Sequence, residues 1–324
     1  MSQVLGKYRN GNHWTTIWSN GKRFQETIDP NETFLSFDFP ESFDFKINNR
    51  CNMGCPWCHE DSTPYGMLPD LSIFLKYPFY ESIHPFTEMA IGGGDVFESK
   101  DLIFLLEKNL ERNIISNLTV NQTHAEEHAE QLKEWLSDGL VKGLGISFNN
   151  ASKLNPLIDK LDSENIVIHL IAGGQSFNKT ILDALKDKKI LFLGYKDIRR
   201  GKDFKNNNSK MLCDNLSWLN ENIQWFTDNT EVLSFDSLAV KQMNAKSLLD
   251  LDDKTWNSLF QGYDEDNMLD ENNNILCSTM FVDYPNMLVA RSSSSPCRSF
   301  LNPVETISET FRRNIHETLQ GKRI

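Results

Sequence analysis

The sequence predicts an α/β fold built on a parallel sheet, either open or closed into a barrel. Two observations carry this. Strand-like runs alternate with amphipathic helical stretches about six times between residues 43 and 240. Polar or glycine-rich residues follow most of the strand-like runs, at the end where such sheets bind ligands.

The elements follow in order. HWTTIWSNGKRFQET reads as a β-hairpin, two partly alternating runs around Asn20-Gly21, a pair that favours a tight primed turn. After the turn-like DPNET, FDFKIN is a strand running into Cys51. TEMAI (87–91) is a second strand and leads into GGGD. SKDLIFLLEKNLERN predicts a helix with Ser99 as N-cap and apolar residues at 102, 103, 105, 106 and 110. NLTVNQ (117–122) is a strand, and AEEHAEQLKEWLSDG a helix closed by Gly139. Three more strands, LGISFN (144–149), IVIHLIAG (166–173) and KILFLGYK (189–196), are followed by helices near 152–162, 178–187 and 209–226. EVLSFDSLAV (231–240) adds a further strand.

Beyond it, FVDYPNMLVARSS reads as two short strands about Pro285-Asn286. Its Asp283 and Arg291 read equally as surface polar residues or substrate contacts. The polar tracts 206–208, 272–274 and 292–295 are loops. The strand ends gather residues 51–58, 92–95, Asn121, Ser147 with Asn149, 173–175 and Lys196-Asp197.

Composition sets the outer bounds. The 324 residues are long for one domain and short for two full-sized ones. At 39% hydrophobic and 24% charged, the chain can bury a sizeable core. It contains no apolar run of about 18 residues, so no membrane span is expected. MSQVLGKYRNGNHW has no apolar signal core, and the chain is read as cytoplasmic, where thiols stay reduced. A net charge of −12 does not favour a nucleic-acid partner.

Three of the six cysteines lie within CNMGCPWCHE (51–60). A thioredoxin-like pair, Cys55 with Cys58, has no use for Cys51. The Cys-x-x-Cys-His string also fits haem attachment, which needs export and a second axial ligand. A zinc site would recruit His59, but adjacent Cys58 and His59 converge poorly on one tetrahedral ion. Three buried free thiols are the plainest alternative, against which the density of the cluster argues. A 4Fe–4S cluster held by three thiolates, with one iron left open, answers the spacing better. Gly54 relieves backbone crowding in such a loop and Pro56 stiffens it.

Cys51-x3-Cys55-x2-Cys58 straight after a first strand, with Trp57 before the last cysteine and GGGD after the second strand, resembles the radical S-adenosylmethionine (radical SAM) enzymes over roughly residues 43–240. The resemblance implies a partial (β/α)6 TIM-like barrel at 43–240, flanked by the N-terminal hairpin at 1–42 and a C-terminal extension at 241–324. It implies that Cys51, Cys55 and Cys58 ligate a 4Fe–4S cluster whose open iron binds SAM. It further implies reductive cleavage of SAM to a 5′-deoxyadenosyl radical, which takes hydrogen from a substrate, and an electron donor such as flavodoxin or ferredoxin.

Carried over, Trp57 lies near the adenine, and Gly93, Gly94 and Asp95 match the Gly-Gly-Glu motif, with Asp in place of Glu. Asn121 and Ser147 supply polar contacts, and Ile171 packs the adenine. His169 is read as a core histidine. Cys213, Cys277 and Cys297 lack the spacing of a second cluster. Peptide, nucleotide and small-metabolite substrates all stay open, as does a non-catalytic metal or redox protein using the same cysteines. The hairpin and the C-terminal extension, both outside the shared core, are expected to shape substrate access, the latter as a lid.

Overall fold

The computed structural model describes residues 3–32, 34–260 and 268–321. Among them, ten strands form one sheet in the order β10-β9-β8-β7-β6-β5-β4-β11-β12-β13. The central run is β4 (Ser42–Asn48), β5 (Glu88–Gly93), β6 (Ile115–Asn121), β7 (Gly143–Ser147), β8 (Ile166–Ile171), β9 (Lys189–Leu193) and β10 (Val232–Phe235), each parallel to the next. On the other side of β4 lies β11 (Thr279–Asp283), also parallel; β12 (Leu288–Ala290) and β13 (Arg298–Phe300) then run antiparallel. Among the described residues β10 and β13 are sheet edges, so this is a partial, TIM-like barrel left open between β10 and the β11–β13 flank.

Residue alternation explains the layers. On β8 and β9 buried and half-buried residues alternate strictly, and β5 and β6 do so over most of their length. The buried set (Phe43, Phe45, Met89, Ile91, Ile168, Leu170) packs under the helices in a single core. The half-buried set faces the inside of the barrel, the lumen. Strands covered on both faces usually read as continuous apolar runs; here Asp44, Lys46, Asn117, Thr119 and His169 interrupt them because the inner face is polar.

Several elements differ from the sequence reading for local reasons. Ser99 does not cap the helix Leu102–Glu111, because its Oγ accepts from Asn48 Nδ2 at 2.8 Å. The stretch 125–139 is two helices, Gln122–Glu127 and Ala129–Ser137, broken at His128. The stretch 209–226 belongs to Arg200–Glu221, which carries a non-helical Asn208, and to Ile223–Asn229. Strand β10 stops at Phe235, because the Asp236 carboxylate accepts from Ala239 N and starts the helix Ser237–Met243.

The N-terminal hairpin is part of a three-stranded sheet, β1 (Val4–Asn10), β2 (His13–Trp18) and β3 (Arg23–Thr27). Its second turn is not the primed pair expected. Gly21 N donates to Trp18 O, and Gly21 alone takes positive φ (80°), a three-residue loop with a bulge. Nor does this sheet reach the mouth of the barrel. Arg23 bridges Glu41 (3.0 Å) and Glu88 (2.5 Å), and Tyr8 and Ile17 pack against Ile115. All three contacts lie at the N-terminal ends of the barrel strands, so the sheet plugs the bottom and does not shape substrate access at the top.

Candidate functional site

The loop leaving β4 carries the three cysteines, and the turn leaving β5 holds it in place. Gly94 N donates to Asn48 O (3.0 Å) and Asp95 N to Arg50 O (2.7 Å). The Asn48 amide donates to Asp95 O at 2.8 Å and accepts from Arg50 N at 3.1 Å. Glycine is required here for close approach: a Cβ on Gly94 would stand 2.2 Å from Arg50 O, and one on Gly93 (φ +126°) 2.6 Å from Asn48 O. Gly54 is different. Nothing lies within 4 Å of its would-be Cβ, so its φ of +62°, not crowding, is what calls for glycine.

Cys51, Cys55 and Cys58 are half-buried and free. Cys58 N turns back onto Cys55 O at 3.2 Å, and the stretch 51–58 contains no helix. Burial pushes the Cys51 and Cys55 thiols up, and the neighbouring cysteines push them further. Among the described residues no group of three or more His, Cys, Asp or Glu side chains is gathered as around a single metal ion. A cuboidal cluster asks something else, one sulfur for each of three irons and positive charge brought by the irons themselves. Three free cysteines on one loop supply that number of sulfurs. Cys213 is exposed, Cys277 sits in the core and Cys297 is half-buried.

The remaining residues singled out from sequence fall at the same end of the barrel. Asn121 pairs in register with Ser147 across β6 and β7, and Ile171 ends β8. Asn121 Oδ1 caps the following helix by accepting from Thr123 N and also accepts from Asn149 Nδ2. Asp95 Oδ1 accepts from Phe97 N (3.1 Å) and lies 3.5 Å from His124 Nδ1, so its carboxylate shapes the turn. Trp57 packs edge-on against Phe204 of the helix Arg200–Glu221, with ring centroids 5.4 Å apart.

A buried charge network beneath the cysteine loop is absent from the sequence reading. Lys46 Nζ lies 2.5 Å from Glu60 Oε2 and 3.5 Å from Asp283 Oδ2. Arg298 Nη1 reaches Asp283 Oδ2 (3.5 Å), and Arg199 Nη1 reaches Glu60 Oε2 (3.6 Å). Burial opposes ionisation of Glu60, but His59 and Lys46 outweigh it and hold the carboxyl far below its usual range. Lys196 Nζ donates to Ser293 Oγ at 2.6 Å and stands 3.1 Å from His59 Nε2, which is also 3.1 Å from Glu60 Oε1. One ring nitrogen serves one of these partners at a time, so the tautomer of His59 selects between them. Burial, then the Lys196 charge, keeps His59 below its usual value. His169 is likewise lowered to about 4, and its buried Nδ1 has no partner. It faces the lumen from β8 and is not a packed core histidine.

Asp283 and Arg291 are not surface residues; they are 0% and 5% exposed. A sequence signal did exist for Lys46. In FDFKIN the apolar residues occupy 43, 45 and 47, so Asp44 and Lys46 share the opposite face.

No model of a known protein family matches this chain, and no curated protein matches it. Among solved structures the chain is similar to the crystal structure of Streptococcus suis SuiB bound to precursor peptide SuiA, at 12% identity and a TM-score of 0.48. The likeness covers 78% of this chain and 60% of that one, so the chain spans less than two thirds of that protein's length.

Proposed function

We propose that the chain is a radical SAM enzyme, and one observation carries the reading. Three free cysteines in C-x3-C-x2-C spacing occupy the loop at the C-terminal end of β4, hydrogen-bonded to a glycine turn at the end of β5. Ligands of parallel α/β sheets bind at that end. When bound, a 4Fe–4S cluster with SAM supplies one-electron cleavage of the sulfonium and a 5′-deoxyadenosyl radical that takes hydrogen from the substrate.

The chain's part is to bind, orient and shield. Cys51, Cys55 and Cys58 hold the cluster. Gly93 and Gly94 offer backbone to the SAM ammonium, and Asn121 and Ser147 offer polar groups along the next strand ends. Ile171 packs the adenine with Trp57 at its edge. Asp95 acts as a positioning residue, because its carboxylate already caps residues 96–98. The substrate is reached through the polar lumen.

The test is anaerobic reconstitution. We expect about four irons per chain, and 5′-deoxyadenosine on reduction with SAM. Ala at Cys51, Cys55 or Cys58 should abolish both, whereas Cys213→Ala should not. Zinc in place of iron, or a cluster that never cleaves SAM, would favour a non-catalytic metal or redox protein instead. Against a thioredoxin-like pair, Cys55 and Cys58 lie in a turn and not at a helix N-terminus.

A further inference from the structure

The opening between β10 and the β11–β13 flank holds a cavity of about 280 Å³, near the lower bound for small-molecule sites. Both banks contribute to it. Ser42, Asp44 and Thr279 come from β4 and β11, Lys196 and Asp236 follow β9 and β10, and residues 291–294 cross from one bank to the other.

The charges around this cavity do not balance by contact. Lys46 serves Glu60 and Asp283, which Arg199 and Arg298 also flank. Lys196 donates to a neutral partner, the Ser293 hydroxyl, and to His59 Nε2 only in the tautomer that leaves that nitrogen without a proton. Arg291 donates to the Thr279 carbonyl. Asp236 Oδ1 accepts two backbone N–H groups, from Gly194 and Ala239. Asp44 differs from all of them: among the described residues it has neither a hydrogen bond nor an ion pair. It is nonetheless open to the lumen and enclosed by protein. Burial raises its carboxyl, the Lys196 charge only partly offsets that, and Asp236 and Glu60 raise it further. A carboxylate on a cavity wall that takes no donor from the protein can accept one from a ligand, and a cationic donor makes the stronger bond.

We infer that this cavity binds an ammonium group, with Asp44 as its anchor, so that the substrate is a small amine or an amine-bearing side chain. Ser42 and the serines of 292–294 supply neutral hydroxyls around it, which suits a polar ligand of limited size. Asp44 precedes the end of β4 by four residues, or about 13 Å at the rise of a strand, which separates the anchored end of the ligand from the cysteine loop. That the ligand is the substrate rests on the function proposed above; ammonium binding at Asp44 does not.

Ligand-observed NMR on the reconstituted full-length protein, at fixed ionic strength, tests this with four probes: propylamine, the tripeptide Gly-Lys-Gly, propanol and propionate. We expect an amine probe to bind and the alcohol and the acid not to. Asp44→Asn should weaken the amine about tenfold or more, as loss of a charge-assisted contact does. With the tripeptide N-acetylated and C-amidated so that the lysine carries its one ammonium, binding of propylamine alone identifies a free small amine, and binding of the tripeptide identifies a side chain. Equal binding of alcohol and amine, no amine binding, or an Asp44→Asn protein that binds as before would each overturn the proposal. If Asp44→Asn does not fold, the amine–alcohol comparison on the native chain decides. Failure to make 5′-deoxyadenosine would overturn the enzymatic reading and leave the amine result standing.

Discussion

Lys46 shows how much one side chain can hold together in this site. Its side chain is 2% exposed, and it neutralises Glu60 and Asp283, whose side chains are 10% and 1% exposed. Those carboxylates come from the cysteine loop and from β11, far apart in sequence. A buried pair is weak evidence for stability as such, but removing one partner leaves charge stranded. Lys46→Met should therefore lower the unfolding free energy by about 3–5 kcal/mol, read by urea denaturation. An unchanged midpoint would mean that Arg199 and Arg298 already satisfy the two carboxylates.

At the scale of elements, the site depends on how closely two loops approach. The three consecutive glycines that close β5 and open the turn are not equivalent. A Cβ on Gly92 would meet nothing nearer than Thr119 Cβ at 3.8 Å, whereas on Gly94 it would collide with the Arg50 carbonyl. Gly94→Ala should push the turn away from the cysteine loop, and Gly92→Ala should not. The expected outcome is iron content near background for Gly94→Ala and near native for Gly92→Ala, measured after identical anaerobic reconstitution. Equal iron in the two variants would show that the cysteine loop holds its shape without the turn.

For the whole molecule, the C-terminal segment combines two roles. Residues 291–294 line the cavity at the seam, the one proposed above to take an ammonium group. The rest is core. β11 pairs with β4, and the helix Ile307–Leu319 buries Ile307, Phe311 and Ile315 to 1% exposure or less. That helix starts from a capping box in which Thr306 and Glu309 bond each other's backbone. Deleting residues 285–324 would strip β12, β13 and this helix from the sheet. At about 1.5–3 kcal/mol for each large apolar side chain, the loss of those three residues alone rivals a domain's net stability. The truncated chain should be insoluble or unfold without cooperativity in circular dichroism. A soluble, cooperative product would mean that the segment is a detachable lid after all.

What the sequence by itself determined here is local. The alternation of strand and helix, the place of the cysteine loop after a strand and the glycine turn after the next all follow from periodicity and spacing, which neighbouring residues encode. Even the inward face of β4 was legible, since Asp44 and Lys46 alternate with Phe43, Phe45 and Ile47. Only the tertiary structure decided which end the N-terminal sheet plugs, where the barrel stays open, and which charges meet. Lys46 with Asp283 and His59 with Lys196 lie 237 and 137 residues apart. Such pairs leave no periodic trace, because a buried charge is chosen by the partner that folding brings to it and not by its neighbours in the chain. Asp44 is the converse case. Its position on the inner face comes from the two-residue repeat of a strand, but its lack of a partner becomes visible only once both banks of the open seam are in place.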